Sequence, residues 1–530
     1  MVTNAAVASP DRRASEAGAA ILERGGSVVD AAIATSAVLT VTTPHNCGVG
    51  GDLVAVLGGP DGAIDTLIAA GRAPAAAGPA MAGGSVEPIA VTGDVRAITA
   101  PGCIDGWLAL HERGGRLPLD DVLAPAVELA EQGFEASSLL AMMAPLVAGR
   151  PGTEFLGPPG TLAPGDVVRR TGLATLLRLV VVEGRDGMYG GPVAAEIAAV
   201  TDGWLTGRDL VSGCAEWRRP VTVDAGGVRL HTPPPPSQGY LSLAGWWIAD
   251  GVGLPDDPRD PRWIHLLVES ATVAGYDRPD VLHDGADGQS LVDPSRLEPR
   301  RAAVLPGRRA GLPVTGGLGD TIHLSVAGPD GAVALTQSNA SGFGSGFFLP
   351  SYGVGLHSRG LGFSTTAGHP AALGPGRRPP HTLSPLVATD AGGIAVVAGS
   401  MGGDSQPQIL LQVLSRILRH DETPQDAVSA ARAVLAGDPA LGGFGAWVDP
   451  GSQRVMVEGH APRGWAPGLA QRGHRVEIGR RFDHGAGHAN VVVRTASAAA
   501  VDVSWTPGAD PRPPESGGVV AMAPSRSTED

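Results

Sequence analysis

Thr321 is the residue with the clearest potential as a nucleophile, because of its place in the sequence. It follows Asp320 and opens a run of alternating polar and apolar residues, Thr321-Ile322-His323-Leu324-Ser325-Val326. The alternation predicts a β-strand that carries Thr321, His323 and Ser325 on one face and the apolar side chains on the other. Pro-Asp-Gly at 329–331 then predicts a turn into a returning strand. By itself the pattern is not specific, because such hairpins are common.

Cleavage of the Asp320–Thr321 peptide would give Thr321 a free α-amino group beside its own hydroxyl. Such an amine has an ordinary pKa of about 8 and can act as a base near neutral pH. A threonine paired with its own N-terminal amine is a known nucleophile. Residues 298–318, just before it, are rich in Pro, Gly and Arg and lack apolar periodicity, which predicts an exposed loop. A threonine that heads a strand after such a loop suits a chain that cuts itself.

Ser400 is a second candidate nucleophile, in Ala398-Gly399-Ser400-Met401-Gly402. This sequence is an alanine variant of the strand–turn–helix motif that presents the serine of many hydrolases. Residues 394–398 predict the strand before it, and the residues from Gln408 predict an amphipathic helix after it. The residues that could complete its triad are Asp404 or Asp421 with His474 or His484.

Residue usage argues against several other kinds of chemistry. All 39 basic residues are arginine, which excludes a P-loop, a lysine Schiff base and a serine–lysine pair. Cys47, Cys103 and Cys214 are widely spaced and odd in number, so neither a disulfide framework nor a zinc site is indicated. His484 and His488 are separated by Gly-Ala-Gly, and these glycines argue against a helix that would aim both rings at one metal. No metal is expected.

Charge and hydropathy indicate the surroundings in which the protein works. The formal net charge of −14 argues against nucleic-acid and anionic-membrane partners. Residues 1–20 lack the basic region and apolar run of a secretion signal, and no later stretch is long and apolar enough to cross a bilayer. We therefore expect a cytoplasmic protein. Hydrophobic residues make up 43% of the chain but aromatic residues only 4%, which predicts a core of Ala, Val and Leu.

Predicted helices and strands alternate along the chain. Ser27 is expected to cap an Ala-rich helix through Leu39, and Asp120 to begin another that ends near Gly133. With the strands described above, this alternation predicts an α/β fold. The residues after Trp505 are polar and rich in Pro and Gly, so we expect a tail that is poorly ordered at its end.

Several motifs, ordered along nearly the whole chain, resemble those of the γ-glutamyltranspeptidase family. They are Gly25-Gly26-Ser27-Val28-Val29-Asp30-Ala31-Ala32, Pro44-His45-Asn46-Cys47-Gly48-Val49-Gly50-Gly51-Asp52, Pro101-Gly102, Ala124-Pro125-Ala126-Val127-Glu128-Leu129-Ala130, Pro235-Pro236-Ser237-Gln238-Gly239, Ser345-Gly346 and Ser400-Met401-Gly402-Gly403. Thr321-Ile322-His323 occupies the place of the family's Thr-Thr-His nucleophile. The ordered set is far more specific than any one motif, and the chain is identified as a divergent member of this family.

The resemblance implies a fold and a processing event. Members of the family are N-terminal nucleophile hydrolases with a four-layer αββα sandwich. Such a protein is one fold that cuts itself, here between Asp320 and Thr321. The expected products are a large chain, 1–320, and a small catalytic chain, 321–530, which remain together as a heterodimer.

The resemblance also implies roles for individual residues. Thr321 is the nucleophile, which attacks the acyl carbon of a small-molecule substrate with its own amine as the base. Ser338 is the hydroxyl residue that contacts this nucleophile. The backbone N–H groups of Gly402 and Gly403 form the oxyanion hole of a hydrolase or acyltransferase. No cofactor is implied.

The substrate pocket departs from the family's pattern. The family's asparagine two residues beyond Ser338 becomes Ala340. The Gln/Glu and Asp that hold the glutamyl α-amino group become Arg359 and Gly362, and the paired serines that hold its α-carboxylate become His381 and Thr382. The family's carboxylate-binding arginine aligns with Ala70, and Arg72, two residues away, offers a substitute.

These replacements put one more cation and one fewer anion where a γ-glutamyl ammonium group belongs, a like-charge contact that costs several kcal/mol. They favour a small anionic substrate that carries a carboxylate but no nearby amine. For such a divergent member, the resemblance implies amide hydrolysis, or C–C bond cleavage in a specialised-metabolite pathway. Three alternatives stay open: an ordinary γ-glutamyltransferase or glutathione hydrolase, a serine hydrolase that uses Ser400, and an uncleaved pseudoenzyme that acts as a binding partner.

Overall fold

The computed structural model describes residues 4–78, 87–312, 314–315, 320–436, 447–448, 453–496 and 503–522. Its strands, in chain order, are β1 (Asn4–Ser9), β2 (Asp52–Gly58), β3 (Ile64–Ala69), β4 (Phe134–Glu135), β5 (Val167–Val168), β6 (Ala215–Arg218), β7 (Val221–Ala225), β8 (Val228–Thr232), β9 (Val314–Thr315), β10 (Asp320–Gly328), β11 (Gly331–Ala340), β12 (Phe348–Leu349), β13 (Val354–Gly355), β14 (Leu386–Asp390), β15 (Gly393–Met401), β16 (Ala433–Ala436), β17 (Trp447–Val448), β18 (Arg454–Val457), β19 (Val476–Ile478), β20 (His488–Ala496), β21 (Val503–Ala509) and β22 (Gly517–Met522).

The α-helices are α1 (Arg12–Glu23), α2 (Val28–Thr42), α3 (Cys103–Gly114), α4 (Leu119–Gln132), α5 (Ser138–Met143), α6 (Thr171–Glu183), α7 (Asp186–Tyr189), α8 (Gly191–Val200), α9 (Gly207–Val211), α10 (Tyr240–Gly251), α11 (Pro261–Gly275), α12 (Arg278–Val281), α13 (Gly288–Leu291), α14 (Pro294–Ala302), α15 (Gln406–His420), α16 (Pro424–Ser429) and α17 (Trp465–Gln471). Within the described ranges, none of these helices is both long enough and apolar enough to span a bilayer.

Two antiparallel sheets form the centre of the molecule. The first has the strand order β22-β1-β10-β11-β2-β3-β6, and the second has the order β21-β20-β15-β14-β8-β7. The side chains buried between them are mostly short, namely Ala6, Ala8, Val56, Ala327, Ala332, Ala334, Val387, Ile394, Val397, Val492 and Trp505. Helices α1 and α2 pack on the outer face of the first sheet, and α10 and α15 on that of the second. The result is a helix–sheet–sheet–helix sandwich, which confirms the predicted four layers.

The strand that carries Thr321 follows the predicted alternation. Ile322, Leu324 and Val326 are buried in the core shared with the helices. On the opposite face, the Ser325 hydroxyl bonds to the carbonyls of Val397 and Asn490 on the second sheet. The polar face of β10 therefore lies between the two sheets, where a polar side chain needs a partner.

Other predicted elements are present with small changes in their ends. Ser27 caps α2 in a reciprocal capping box with Asp30, and this helix runs to Thr42 rather than Leu39. The second predicted helix is α4, Leu119–Gln132, followed by Gly133 in a left-handed conformation. The strand before Ser400 and the helix after it are β15 and α15.

The predicted loop over 298–318 is wrong in its first part. Residues 294–302 form α14, which Asp293 caps with its side chain. Its core contact depends on Leu297 and on Arg300, which pairs with Asp277, so a single apolar residue gave no periodic signal. The chain becomes irregular after this helix, and residues 313 and 316–319 lie outside the described ranges.

The tail is more ordered than its composition predicts. β21 pairs with β20 at the edge of the second sheet, and β22 pairs with β1 at the edge of the first. The pairing of β22 with β1 joins the two ends of the chain, so the local composition contains no sign of it. The predicted disorder at the end of the tail concerns residues 523–530, which lie outside the described part of the chain.

Candidate active site

The Asp320–Thr321 peptide lies at an irregularity of the first sheet. Thr321 pairs with Ser338 and Asp320 pairs with Ala340, so one residue of β11 is skipped between them. This β-bulge re-aims the backbone at the peptide that the sequence predicts to be cut. Both Thr321 and Ser338 are buried in the intact chain.

The Ser338 hydroxyl connects the predicted nucleophile to the predicted scissile carbonyl. It donates a hydrogen bond to the Asp320 carbonyl oxygen at 2.7 Å. It accepts hydrogen bonds from the Thr321 hydroxyl at 3.1 Å and from the Ala340 N–H at 2.8 Å. One side chain therefore polarises the carbonyl and orients the hydroxyl that would attack it, as the predicted role of Ser338 requires.

The backbone of Ala340 and the side chain of Asp320 lie beside this contact and are both in unfavourable environments. Ala340 has a φ of +76°, a left-handed conformation that costs an alanine about 1 kcal/mol or more and that asparagine tolerates better. The Asp320 carboxyl is removed from water, which raises its pKa to about 6. Strain and a partly desolvated acid thus flank the peptide.

His323 supports the sheet rather than the nucleophile. Its Nδ1 bonds to the Thr336 hydroxyl and its Nε2 to the Ser325 hydroxyl. Burial lowers its pKa to about 3, so the ring is neutral at physiological pH. A side chain at Gly399 would overlap this ring, which shows how closely the second sheet covers it.

The predicted oxyanion turn has a backbone that favours glycine. Gly402 and Gly403 have φ values of +144° and +52°, between β15 and α15. The Gln238 amide donates to the Gly403 carbonyl at 3.1 Å and to the Thr382 carbonyl at 3.2 Å. Gln238 thus ties this turn to the predicted substrate pocket. Sequence analysis assigned it no role, although it stands in the Pro-Pro-Ser-Gln-Gly motif.

Arg359, which the sequence predicted to add a positive charge to the pocket, is paired with a carboxylate. It is buried, and its Nε donates to the Asp52 carboxylate at 2.5 Å. Asp52 pairs with Ser338 across β2 and β11 and so lies in the row of residues that contains Thr321. The pair cancels the extra positive charge, which corrects the expected like-charge contact. Arg359 Nη2 has no hydrogen-bond partner among the described residues.

His381 and Thr382 supply further buried polar atoms. Neither ring nitrogen of His381 nor the Thr382 hydroxyl finds a partner in the part of the chain that the structure describes. Burial, together with the charges of nearby arginines including Arg359 and Arg378, holds the pKa of His381 well below its ordinary value, so its ring is neutral. Unpaired buried groups of this kind are costly unless a ligand or water satisfies them.

Gly362 lines a cavity of about 220 Å³, with Arg278, Pro380 and Asp404 among its other walls. Asp404 Oδ1 lies 3.1 Å from Arg278 Nη2. The cavity therefore begins one residue beyond the predicted oxyanion turn at Gly403.

Arg72, the predicted substitute for the family's arginine, is engaged by two carboxylates. Its side chain is 40% exposed and is held by Glu216 at 2.6 Å and by Asp284 at 3.3 Å. Arg378, which sequence analysis did not single out, is fully buried and donates to the Ala70 carbonyl at 2.7 Å. Its Nη1 is without a partner in the described ranges. The sequence could have indicated this residue only by its position, three residues before His381.

The serine triad is not assembled. The Ser400 hydroxyl donates to the Met401 carbonyl at 2.5 Å. The two candidate bases bond to other histidines instead, His474 to His265 and His484 to His488. As predicted, no α-helix carries His484 and His488, which lie in a 3₁₀ turn and at the start of β20, although their ring nitrogens are 2.9 Å apart. Cys47, Cys103 and Cys214 are buried free thiols.

A sandwich of two facing sheets between helix layers, with Thr321 at the position of the family's nucleophile, is that of an N-terminal nucleophile hydrolase. The family model for gamma-glutamyltranspeptidase matches residues 14–520, and the chain belongs to this family of enzymes.

Named relatives of the chain act on different substrates. It is 32% identical over 514 residues to an oxamate amidohydrolase proenzyme of Klebsiella pneumoniae, covering 93% of this chain and 95% of the relative. It is 32% identical over 466 residues to a glutathione hydrolase proenzyme of Pseudomonas aeruginosa, covering 81% and 82%. A cephalosporin acylase structure from Bacillus halodurans matches with a TM-score of 0.86 at 29% identity, covering 99% and 97%.

Proposed function

We propose that this protein is a self-processing N-terminal threonine hydrolase that acts on a small amide bearing a carboxylate and no nearby amine. The observation that carries the first part is the Ser338 hydroxyl, which bonds to both the Thr321 hydroxyl and the Asp320 carbonyl. Cleavage there divides the chain into 1–320 and 321–530, which stay together as a heterodimer. The proenzyme names of relatives are consistent with such processing.

Maturation begins with attack of Thr321 Oγ on the Asp320 carbonyl carbon. A C–O bond forms and the C–N bond breaks, while the hydroxyl proton passes to the nitrogen, which becomes the Thr321 amine. Ser338 stabilises the oxyanion, because it already donates to that oxygen. Water then hydrolyses the ester, which leaves a carboxylate on Asp320 and restores the Thr321 hydroxyl.

In each turnover the Thr321 amine accepts the hydroxyl proton as Oγ attacks the substrate's acyl carbon. The N–H groups of Gly402 and Gly403 stabilise the tetrahedral oxyanion. The leaving amine takes the proton, and water releases the acid from the acyl-enzyme. Each step uses groups of this chain, the substrate and water.

The substrate class follows from the donors that are left over. Arg359 Nη2, Arg378 Nη1 and the Thr382 hydroxyl are N–H or O–H groups, and all three belong to buried side chains. Such donors suit a carboxylate, although Asp52 and Glu216 already offset the charges of the two arginines. Asp52 is engaged by Arg359, and Gly362 stands where the family places an aspartate, so the ammonium of a γ-glutamyl donor lacks its acidic partners.

Two of the similar proteins support this choice of substrate, whereas the Pseudomonas aeruginosa relative is named as a glutathione hydrolase. Oxamate, the substrate named for the Klebsiella pneumoniae relative, carries a carboxylate beside its carboxamide and no amine. The cephalosporin acylase is also named for substrates that are not γ-glutamyl compounds. Amide hydrolysis of a small acid is therefore preferred over glutathione hydrolysis.

The test compares kcat/KM for oxamate and related acid monoamides with that for a γ-glutamyl anilide, in wild type and in Thr382→Val. We expect the acid amides to be preferred, and loss of the hydroxyl to raise their KM about tenfold or more. Thr389→Val is the matched control, because Thr389 bonds to His231 instead. A preference for the γ-glutamyl compound, with Thr382→Val unchanged, would restore the ordinary family activity.

A further inference from the structure

Three buried side chains outside the active site present metal-ligating atoms to one another. They are His265, Glu269 and His474, whose ligand atoms all lie within 4.8 Å of each other. In the described ranges this is the single group of three or more such residues that comes together. Nothing in the catalytic account uses it.

The fold explains why these residues meet. His265 and Glu269 are four residues apart in α11, so their side chains leave the same face of the helix. His474 follows α17, which packs against α11, and its N–H donates to the Leu469 carbonyl at the end of that helix. Two histidines and a carboxylate are a common set of ligands for Zn²⁺.

Backbone groups hold His265 and Glu269 by hydrogen bonds, as they commonly hold the side chains that bind a metal. His265 Nε2 lies 2.8 Å from the Leu305 carbonyl, to which it donates, and this leaves the lone pair on Nδ1. Glu269 Oε2 accepts from the Ala310 N–H. Metal-bound histidines usually donate their second N–H to a carbonyl in this way.

We propose that His265 Nδ1, Glu269 Oε1 and His474 Nε2 bind a divalent transition metal such as Zn²⁺. The distances are 2.8 Å from His265 Nδ1 to His474 Nε2 and 3.7 Å from His474 Nε2 to Glu269 Oε1. Donors that share a tetrahedral ion with bonds of about 2.1 Å lie about 3.4 Å apart, so small movements of these side chains make room for it. Water takes the fourth position.

The site would link the two chains that cleavage produces. His265 and Glu269 precede Thr321 in the sequence and His474 follows it, so the ion would bind both fragments. Through Leu305 and Ala310 the same residues also hold the irregular segment that leads to the cleavage site. This linking role rests on the proposed self-cleavage, whereas metal binding itself does not.

Two features of the surroundings compete with the ion. Without it, His474 Nε2–H donates to His265 Nδ1, which completes a neutral chain of hydrogen bonds to Leu305. The charges of Arg309 and Arg472 lie near His474 and oppose a cation. The carboxylate of Glu269 offsets this repulsion, which makes Glu269 the decisive ligand.

Metal binding is tested by adding Co²⁺ to the full-length protein after chelator treatment and desalting. We expect one equivalent to bind, with the visible absorption of a tetrahedral Co²⁺ site, and Zn²⁺ to displace it. Glu269→Gln and His474→Asn should weaken binding at least about a hundredfold, since each removes a ligand. His484→Asn is the matched control. His484 also bonds to another histidine, but among the described residues this pair is not part of a group of three metal-ligating side chains.

The proposal fails if wild type takes up no Co²⁺, if His484→Asn removes the signal, or if both ligand variants bind as wild type does. The wild-type titration decides the question even where a variant folds poorly.

The linking role has its own measurement. Zn²⁺ should raise the urea concentration at which the two fragments separate on size exclusion, in wild type but not in His474→Asn. Uncleaved Thr321→Ala should still bind one equivalent, so a failure of self-cleavage and a failure of metal binding give different results. Separation of the wild-type fragments at the same urea concentration with and without Zn²⁺ would overturn the link.

Discussion

The row of residues around Thr321 and the pocket beside it are built differently. In the row, the Thr321 hydroxyl donates to the Ser338 hydroxyl, which in turn donates to the Asp320 carbonyl in the intact chain. In the pocket, His381 and Thr382 are buried with polar atoms that lack partners among the described residues. The row matches the family's motifs, whereas the pocket departs from them.

This difference separates the chemistry from the choice of substrate. The row lies on β10 and β11, in the middle of the first sheet, where its geometry is set by strand register. The pocket residues lie outside the strands. Gly362 ends a short 3₁₀ turn, and His381 and Thr382 lie in the irregular segment before β14. Residues on such segments can change without disturbing strand pairing, so a fixed reaction can serve a different substrate.

Arg359 belongs to both regions. Its position in the sequence corresponds to a substrate-binding residue of the family, but its side chain pairs with Asp52 in the row. Arg359→Gln leaves a buried carboxylate unpaired and should lower the free energy of unfolding by about 3 kcal/mol. The double variant Asp52→Asn/Arg359→Gln should recover much of this loss. Urea unfolding of these changes in a Thr321→Ala background measures the effect.

The control is Arg229→Gln, which breaks an exposed pair with Asp224 and should change stability by no more than about 0.5 kcal/mol. If Arg359→Gln is no more destabilising than this control, the two regions are not joined by a buried ion pair.

Ser338→Ala tests the row itself. Loss of the hydroxyl that donates to the Asp320 carbonyl should slow self-cleavage about a hundredfold. Ser325→Ala is the matched control, because Ser325 is buried on the same face of the sheet but bonds to carbonyls of the second sheet. Denaturing electrophoresis over time follows the appearance of the fragments. Cleavage of Ser338→Ala at the wild-type rate would remove Ser338 from the mechanism.

The Asp320 carboxyl makes the stability of the precursor depend on pH. Its pKa in the folded chain, about 6, exceeds its ordinary value of 3.8 because the group is removed from water. The stability that comes with the raised pKa is fully present below pH 3.8 and is lost as the pH rises through about 6.

In Thr321→Ala, unfolding free energy should therefore fall by about 1–2 kcal/mol more between pH 4 and pH 8 than in Thr321→Ala/Asp320→Asn. Chemical denaturation at the two pH values measures this difference. Equal pH dependence in the two variants would show that the Asp320 carboxyl stays solvated beside the row.

The sequence predicted the row around Thr321 better than it predicted the substrate pocket. Thr321 and its polar face were predictable, because strand alternation is local and the family's motif marks the position. The Arg359–Asp52 pair was not, because its members are 307 residues apart in sequence and only the fold brings them together. The engagement of Arg72 by two carboxylates, and the bridge that Gln238 makes between Gly403 and Thr382, were hidden for the same reason.

The central claim is that the chain cuts itself between Asp320 and Thr321. N-terminal sequencing and intact mass of the purified protein test it most directly, with Thr321→Ala as the comparison. We predict a small chain that begins Thr-Ile-His, with fragments of about 32 and 21 kDa in proportion to 53.5 kDa over 530 residues, and a single intact Thr321→Ala chain. A fully active wild type that remains one chain, or a Ser400→Ala variant that loses activity while Thr321→Ala keeps it, would contradict this account.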